Sequence, residues 1–571
     1  MKPTTMPITR LFIIVAVAMF AASAIAQVEP PPAAGTAPAG NTHPESQRVA
    51  GHGNLPNPFG TPATRSAMSG PQKAGFAEDV DLSPLRDLAV FHNGRVKILD
   101  TLALETVEYI AGKPRLQLPI EPSEGESAEL IGFDPLFTLL DAMIDPAFYF
   151  ERPAIHVNYL PLRRAYLREA FPEDDVQRQR WKKLTRVSPL MVRNLTTPIF
   201  EAHVGERPYR EAIDRVENRL ALLLGSPSNM NIIAPETADD PWHHISEWPE
   251  GSEVRTAARD LGEAWRTGDA EAASEAAARL ASILPTINED MYPGGRRALE
   301  AAYNDANTFE WGYWTYFLSL LSLILAFGTG RAWLRNTGCL LLAAGIALHG
   351  AGFTARCILA ERFAIQNQFE SMVGLSLFAA LVGLVVMIAR RQLIFGAAAA
   401  AAGFLILITA TETGIPGRTI EREAAILNTS VLLKYHVTTV LTSYGLITLG
   451  FVVSCFYLAT HYASRLGGRT EFHAVAEGAL AASSSQAGAE GSSSSPASSP
   501  ASRTLAELDA AQMVMLQLAF WTLGVGVLLG AWWADHSWGR WWAFDPKETW
   551  ALITWIVYLI AIHARFAGVR D

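Results

Sequence analysis

The sequence predicts an all-α protein in two parts, a mostly helical extracytoplasmic domain followed by a polytopic helical membrane domain of about seven transmembrane helices. Three observations carry this. Half of the 571 residues are hydrophobic, yet polar and charged residues crowd the N-terminal half and long apolar runs fill the C-terminal half. From Trp311 onward those runs are long enough to cross the roughly 30 Å hydrocarbon core of a bilayer. The first 26 residues have the form of an export signal: Lys2 and Arg10, an apolar run over 11–20, then Ala24-Ile25-Ala26 as a small-residue cleavage site. An uncleaved first membrane helix is the alternative, and both place the chain from residue 27 outside the cytoplasm.

Residues 27–80 are rich in Pro, Ala, Gly and Ser and read as a disordered linker. Residues 81–310 read as the extracytoplasmic domain, with Ala-rich stretches such as 256–283 supporting helix. Membrane helices are expected near 311–328, 337–354, 371–389, 392–411, 436–460, 511–532 and 548–565. Arginine pairs at 331 and 335, 390 and 391, 465 and 469, and 565 and 570 mark alternate helix ends. The positive-inside rule puts those ends and the C-terminus in the cytoplasm of a multi-pass cytoplasmic-membrane protein, and the loops 355–370 and 412–435 and the tryptophan-rich loop before the last helix outside. Within the membrane domain (311–571), residues 464–508 form a Ser/Ala/Gly tract that reads as a disordered cytoplasmic insertion.

Composition also excludes chemistry. A net charge of −10 gives no basic face for nucleic acid. Cys339, Cys357 and Cys455 lie in or beside apolar runs without a Cys-x-x-Cys pair, which argues against thiol redox chemistry or zinc. His243-His244 lack further spaced ligands, and no paired-carboxylate or Ser/His/Asp arrangement stands out.

Eight of the fifteen tryptophans fall between Trp521 and Trp555. Interfacial anchoring accounts for a few tryptophans at a helix end, not for this density. A flat aromatic platform at a membrane surface suits a large planar ligand such as haem. Trp532, Trp533, Trp538, Gly539, Trp541, Trp542, Asp545, Pro546, Lys547, Glu548, Thr549 and Trp550 resemble the tryptophan-rich signature of the haem-handling proteins of cytochrome c biogenesis, with Phe544 where that family usually has Trp. The sequence is most similar to the CcsA/ResC type, over roughly 310–571.

That resemblance implies a role for each of several residues. His436, followed by Val437 and then Ser443-Tyr444, matches the external-histidine segment and would be an axial ligand of haem iron. His563, in the next membrane helix after the Trp-rich segment, matches a histidine that holds haem within the membrane. It follows Lys547 by 16 residues, roughly 24 Å along a helix, so two haem positions are implied, an outer and an inner one. Trp532, Trp533, Trp538, Trp541, Trp542, Asp545 and Trp550 would line the haem face, with Arg540 and Lys547 available to the propionates. Asn367, Glu370 and Ser371 match an Asn-x-x-Glu-Ser element read as structural, with Ser371 capping the helix and Asn367 bracing the outer loops. His349 reads as a satisfied core histidine. The family pattern continues with further helices and a second external histidine beyond the position of Asp571. Either the chain is split or truncated there, or a ligand comes from elsewhere, His536 being the nearest internal substitute.

The implied function is a component of a cytochrome c synthase. It would present haem b as substrate on the extracytoplasmic face for attachment to the Cys-x-x-Cys-His sequence of an apocytochrome c. Expected partners are that apocytochrome, a ResB/CcsB-like membrane protein and the thiol-reducing proteins of the pathway. Two rivals are a haem transporter or chaperone of the CcmC/CcmF type and a non-catalytic scaffold of the assembly complex.

Overall fold

The computed structural model describes residues 55–121, 128–421, 431–466 and 500–568. The expected signal segment and most of the expected insertion lie outside them. The described chain divides between Asn304 and Asp305 into two compact units.

The first unit is helical with four short antiparallel ribbons. Its helices are α1 (Gly70–Asp79), α2 (Leu99–Ala111), α3 (Pro135–Ile144), α4 (Leu160–Ala170), α5 (Asp175–Leu184), α6 (Pro189–Ala202), α7 (Arg207–Gly225), α8 (Glu253–Thr267), α9 (Ala270–Ile283) and α10 (Gly295–Ala306). The ribbons pair β1 (Ala89–His92) with β2 (Arg95–Ile98), β3 (Leu116–Ile120) with β4 (Glu129–Phe133), β5 (Ile155–His156) with β6 (Arg186–Val187), and β7 (Asn231–Ile233) with β8 (His243–His244). Asn93 and Gly94 take positive φ of 51° and 76° between His92 and Arg95, the two-residue turn that an Asn-Gly pair favours.

Residues 55–80 correct the linker expectation. Phe59 and Phe76 are core residues, and α1 is capped by Ser69. Phe59 passes so close to α8 that any side chain at Gly262 would collide with its carbonyl. Lys73 is fully buried, its Nζ donating to Asp141 at 2.6 Å and Asp145 at 2.9 Å, while Trp265 Nε1 donates to Asp141 at 2.8 Å. Phe76 and Phe137 each lie 5.0 Å from the Trp265 ring. Composition describes a segment's average, whereas a few anchors decide whether it is held.

Among its described residues the second unit contains seven helices long and apolar enough to cross a membrane: α11 (Thr308–Thr329), α12 (Ala332–Ala360), α13 (Gln368–Arg390), α14 (Leu393–Glu412), α15 (Val431–Leu466), α16 (Pro500–Trp538) and α17 (Pro546–Phe566). The protein is a multi-pass membrane protein. Neighbours run α12, α11, α14, α13, α15, α16, α17, with α14 also touching α15. Without water, contacts rest on small residues and satisfied polar groups. Gly345 and Gly403 flank the Tyr316 ring, and Gly383 faces Ala399. Ser319 donates to the Gly338 carbonyl at 2.8 Å and Ser376 to that of Gly403 at 2.9 Å.

The insertion expectation is corrected at both margins. Residues up to Leu466 belong to α15, and 500–508 form the first turns of α16, where Leu508 is buried. At 39 residues α16 is about 58 Å long, nearly twice the hydrocarbon thickness, so its polar first turns are helix without being membrane.

Lys73→Met leaves two buried carboxylates without their cation and is expected to cost the first unit about 3–5 kcal/mol. Denaturant unfolding of the full-length chain, with hydrogen exchange followed over residues 55–80, measures it; a loss under about 1 kcal/mol would remove the ion pair as anchor. Burial, with Lys97 and Arg95 adding to it, pushes His92 from 6.5 down to about 3. The unfolded chain then binds a proton that the folded chain refuses, so stability falls as pH drops from 6.5 towards 3. Replacing His92 by Gln should flatten that part of the stability–pH curve, and an unchanged slope would contradict it.

Candidate functional site

The site is built where α15 and α16 cross. They run antiparallel in one continuous register. Gly530 faces His436, Gly526 faces Val440, Ser443 donates to the Ala519 carbonyl at 3.2 Å, and Gln512 donates to Ser454 at 2.5 Å. Gly526 and Gly530 stand one turn apart on one face of α16. A Cβ at Gly530 would lie 2.5 Å from His436 Cε1, and one at Gly526 2.7 Å from Val440 Cγ2. The missing side chains are therefore what seats the imidazole.

His436 Nδ1 lies 2.8 Å from the Gly526 carbonyl oxygen. A carbonyl only accepts, so Nδ1 carries the proton and Nε2 keeps its lone pair. This is the tautomer a metal-ligating imidazole needs, with its outer nitrogen fixed by a backbone carbonyl.

One turn beyond Gly530 on the same face stands Trp533, largely buried, with the Trp538 ring 4.8 Å away at 70°. Trp532, Trp538, Trp541 and Trp550 are each about half exposed or more, at 47, 50, 57 and 66%. Trp542 is half-buried and meets Phe544 edge-on at 6.2 Å. The Trp-rich segment is thus not a single loop. Trp532, Trp533, His536 and Trp538 belong to the last turns of α16, which ends only at Gly539 (φ 66°), whose amide donates to the Asp535 carbonyl at 2.8 Å. Trp541, Trp542 and Phe544 lie in the short connection to α17, and Trp550 on α17 itself.

Asp545 has a local task. Its Oδ1 accepts from the Glu548 amide at 2.8 Å as N-cap of α17, Pro546 follows at the first helical position, and Glu548 reaches back to accept from the Ala543 amide at 2.8 Å. The Asp-Pro-Lys-Glu part of the motif is thereby a helix start.

His563 is exposed on α17, its Nδ1 2.9 Å from the Leu559 carbonyl oxygen, a contact that occupies Nδ1 and leaves Nε2 facing outward. Arg565 pairs with Asp509, and Trp555 stacks on Phe520 at 4.9 Å, so α17 descends antiparallel to α16. That register sets His563 near the level of residue 511, about 28 Å from the level of Gly530 and His436. The two imidazoles serve opposite ends of one helix. His536 is exposed, with Nδ1 bonded to the Trp532 carbonyl at 3.1 Å. His349 is fully buried in α12, with Nδ1 3.4 Å from the Tyr316 hydroxyl and Nε2 without a hydrogen-bond partner, so the satisfied core histidine expected from the sequence is met at one nitrogen only. Among the described residues no cluster of His, Cys, Asp and Glu forms a conventional metal site.

The Asn-x-x-Glu-Ser element needs one correction. Asn367, not Ser371, caps α13 by accepting from the Glu370 amide at 2.9 Å; Ser371 donates to the Ile365 carbonyl at 3.1 Å. Glu370 is fully buried between Arg356 and Arg362, a grouping that sequence reading missed. The available signal was four charges, Arg356, Glu361, Arg362 and Glu370, within fifteen otherwise largely apolar residues.

A polytopic helical membrane protein with an imidazole at each of two levels along an aromatic-ended helix is the class these features define. The chain belongs to the cytochrome c assembly protein family, whose model matches residues 365–570. It is similar to the cytochrome c biogenesis protein CcsA of Synechococcus sp. (strain CC9311), 30% identical over 262 residues, covering 45% of this chain and 84% of that protein. The CcsA protein of Parasynechococcus marenigrum (strain WH8102) is 30% identical over 262 residues, 45% and 83% of the two chains. That of Prochlorococcus marinus (strain MIT 9313) is 32% identical over 232 residues, 39% and 71%.

Asp545→Ala should cost about 1 kcal/mol at the start of α17, with faster hydrogen exchange at the Glu548 amide, while Asp545→Ser restores it. Equal exchange in both variants and the parent would refute the capping role.

Proposed function

We propose that this protein is a haem-handling membrane component of cytochrome c maturation. It receives haem b as substrate and presents it on the extracytoplasmic face for attachment to an apocytochrome c. The observation that carries the reading is the fixed His436 tautomer, an imidazole with its Nε2 lone pair free at the aromatic end of α16. Family membership and the exposed tryptophans of the same helix end support it. The alternation of arginines supports an orientation with that end outside the cytoplasm.

The residues fit haem. His436 supplies an axial nitrogen, Trp532, Trp538 and Trp541 supply partly exposed aromatic surface, and Arg540 and Lys547 supply cations for propionates. His563 offers a second nitrogen at the opposite level, suited to haem held before it reaches the outer position. Haem brings the iron and the vinyl groups. Each thioether forms when a cysteine S–H adds across a vinyl double bond, which needs no oxidant. The chain's contribution is position: His436 orients the ring, the tryptophans exclude water, and the vinyl edge stays open to the Cys-x-x-Cys-His thiols. The histidine of that sequence would take one axial place. A ResB/CcsB-like membrane protein and thiol-reducing proteins complete the proposed pathway.

His436→Ala should abolish or shift the haem absorption bands of the purified full-length protein. Truncating either Trp541 or Trp542 to Ala should lower haem affinity by roughly a hundredfold if a lost ring costs on the order of 3 kcal/mol of packing, and the Trp541→Ala, Trp542→Ala pair should lower it further. Haem content per inserted protein is the readout. Full occupancy in both variants would leave the tryptophans as interfacial anchors and His436 outside the site. Co-expression with a reporter apocytochrome then separates covalent attachment from mere haem holding.

A further inference from the structure

The first unit buries three charged side chains against one another. Lys73 on α1 and Asp141 on α3 are 0% exposed, and Asp145, at the end of α3, is 3% exposed. Lys73 Nζ donates to Asp141 Oδ1 at 2.6 Å and to Asp145 Oδ2 at 2.9 Å, and the Ser66 hydroxyl donates to the same Asp145 oxygen at 2.5 Å. Trp265 Nε1 donates to Asp141 Oδ1 at 2.8 Å. Asp141 Oδ2 is buried and meets no hydrogen-bond donor among the described residues. The walls are aromatic: Phe76 and Phe137 pack on Trp265, and the Phe148 ring lies 5.0 Å from Nζ.

An amine nitrogen hydrogen-bonded to a carboxyl oxygen stands roughly 3–3.5 Å from the carboxyl carbon, the separation of a near-attack pair. In water an amide does not form from such a pair, because the ammonium keeps its proton, the acid has lost its own, and water reverses the product. This pocket counters each obstacle. Burial pushes the Asp141 carboxyl up from the usual carboxylate value, although Lys73 pulls it the other way. Asp145 gives the ammonium a second carboxylate to receive its proton. The enclosure keeps bulk water away.

We propose that Lys73 and Asp141 join in an intramolecular amide bond, with Asp145 as proton acceptor and Trp265 as the donor that steadies the developing oxyanion. The ammonium passes one proton to Asp145 Oδ2, and the freed lone pair attacks Cγ of the protonated Asp141 carboxyl. Charge gathers on Oδ1, where the Trp265 N–H already points. A second proton moves from nitrogen to the Oδ2 hydroxyl, the Cγ–Oδ2 bond breaks, and one water departs. Oδ1 becomes the amide carbonyl, the nitrogen keeps one hydrogen, and Asp145 keeps the first proton. Nothing is oxidised or reduced, and the product carries no charge where an ammonium and a carboxylate stood before. The bond joins positions 68 residues apart and fastens the segment 55–80 covalently to α3. A link that closes so long a loop also restrains the unfolded chain.

The test is peptide mass analysis of the purified full-length protein, denatured and digested at successive times after expression. The expected product is a branched peptide joining the Lys73 and Asp141 fragments, lighter than their sum by one water, in place of most of the two linear fragments. Linear fragments alone, from folded protein, would overturn the proposal. Lys73→Arg keeps a cation in the pocket and Asp141→Ala removes the acceptor carbon; both should give linear fragments only, and a branched product in either overturns the assignment. Asp145→Asn leaves both reacting partners in place and should slow the appearance of the branched peptide by on the order of a hundredfold. An unchanged rate would overturn the role given to Asp145. Should the variants fail to fold, the wild-type digest still decides, since an ion pair cannot survive denaturation as a branched peptide. A branch joining Lys73 to Asp145 instead would overturn the choice of acceptor.

Discussion

The glycine-lined contact between α15 and α16 is the constraint on which the rest of the candidate site depends. A helix can approach another closely only where side chains are absent, and Gly526 and Gly530 clear the strip that His436 and Val440 occupy. The same approach brings the Gly526 carbonyl within 2.8 Å of Nδ1, which selects the tautomer. Packing and chemistry are thus one feature: the geometry that buries the ring also frees Nε2. Because Trp533 stands a turn further along that face, the aromatic end of α16 is aligned with the imidazole by helical periodicity alone.

A second rule runs through the membrane unit. Buried polar groups are expensive in hydrocarbon, and several are answered locally, Ser319, Ser376 and Ser443 by carbonyls of neighbouring helices and Glu370 by two arginines. Against that background the histidines differ. His349 is enclosed in the core, whereas His436 and His563 each spend one nitrogen on a backbone carbonyl and keep the other. The two stand about 28 Å apart in level along α16.

The seven apolar runs are legible in the sequence because a bilayer demands about 20 consecutive apolar residues, a constraint few other environments impose. Helix ends are not, since α15 and α16 continue as polar helix beyond the hydrocarbon, and hydropathy is blind there. The Trp-rich signature reads as one loop because Gly539, the residue that ends α16, lies in its middle rather than at its start. Residues 55–80 read as tether from average composition, although Phe59, Lys73 and Phe76 seat them in the core. Family pattern finds His436 as a candidate ligand. Its tautomer depends on a carbonyl 90 residues away and is written only in three dimensions. The Arg356–Glu370–Arg362 cluster escapes notice for the opposite reason, since charges beside a membrane helix are ordinarily solvated.

The central claim is that His436 is held as a ligand in a slot formed by α15 and α16, and cavity complementation tests it most directly. In His436→Gly the slot remains while the imidazole is gone, so free imidazole added to the purified full-length variant should occupy it. Haem bands lost in the variant and restored by millimolar imidazole, but not by methylimidazole blocked at the nitrogen that donates to the Gly526 carbonyl, are the expected result. Haem bands that persist without imidazole, or that neither compound restores in an inserted and folded variant, would contradict the claim.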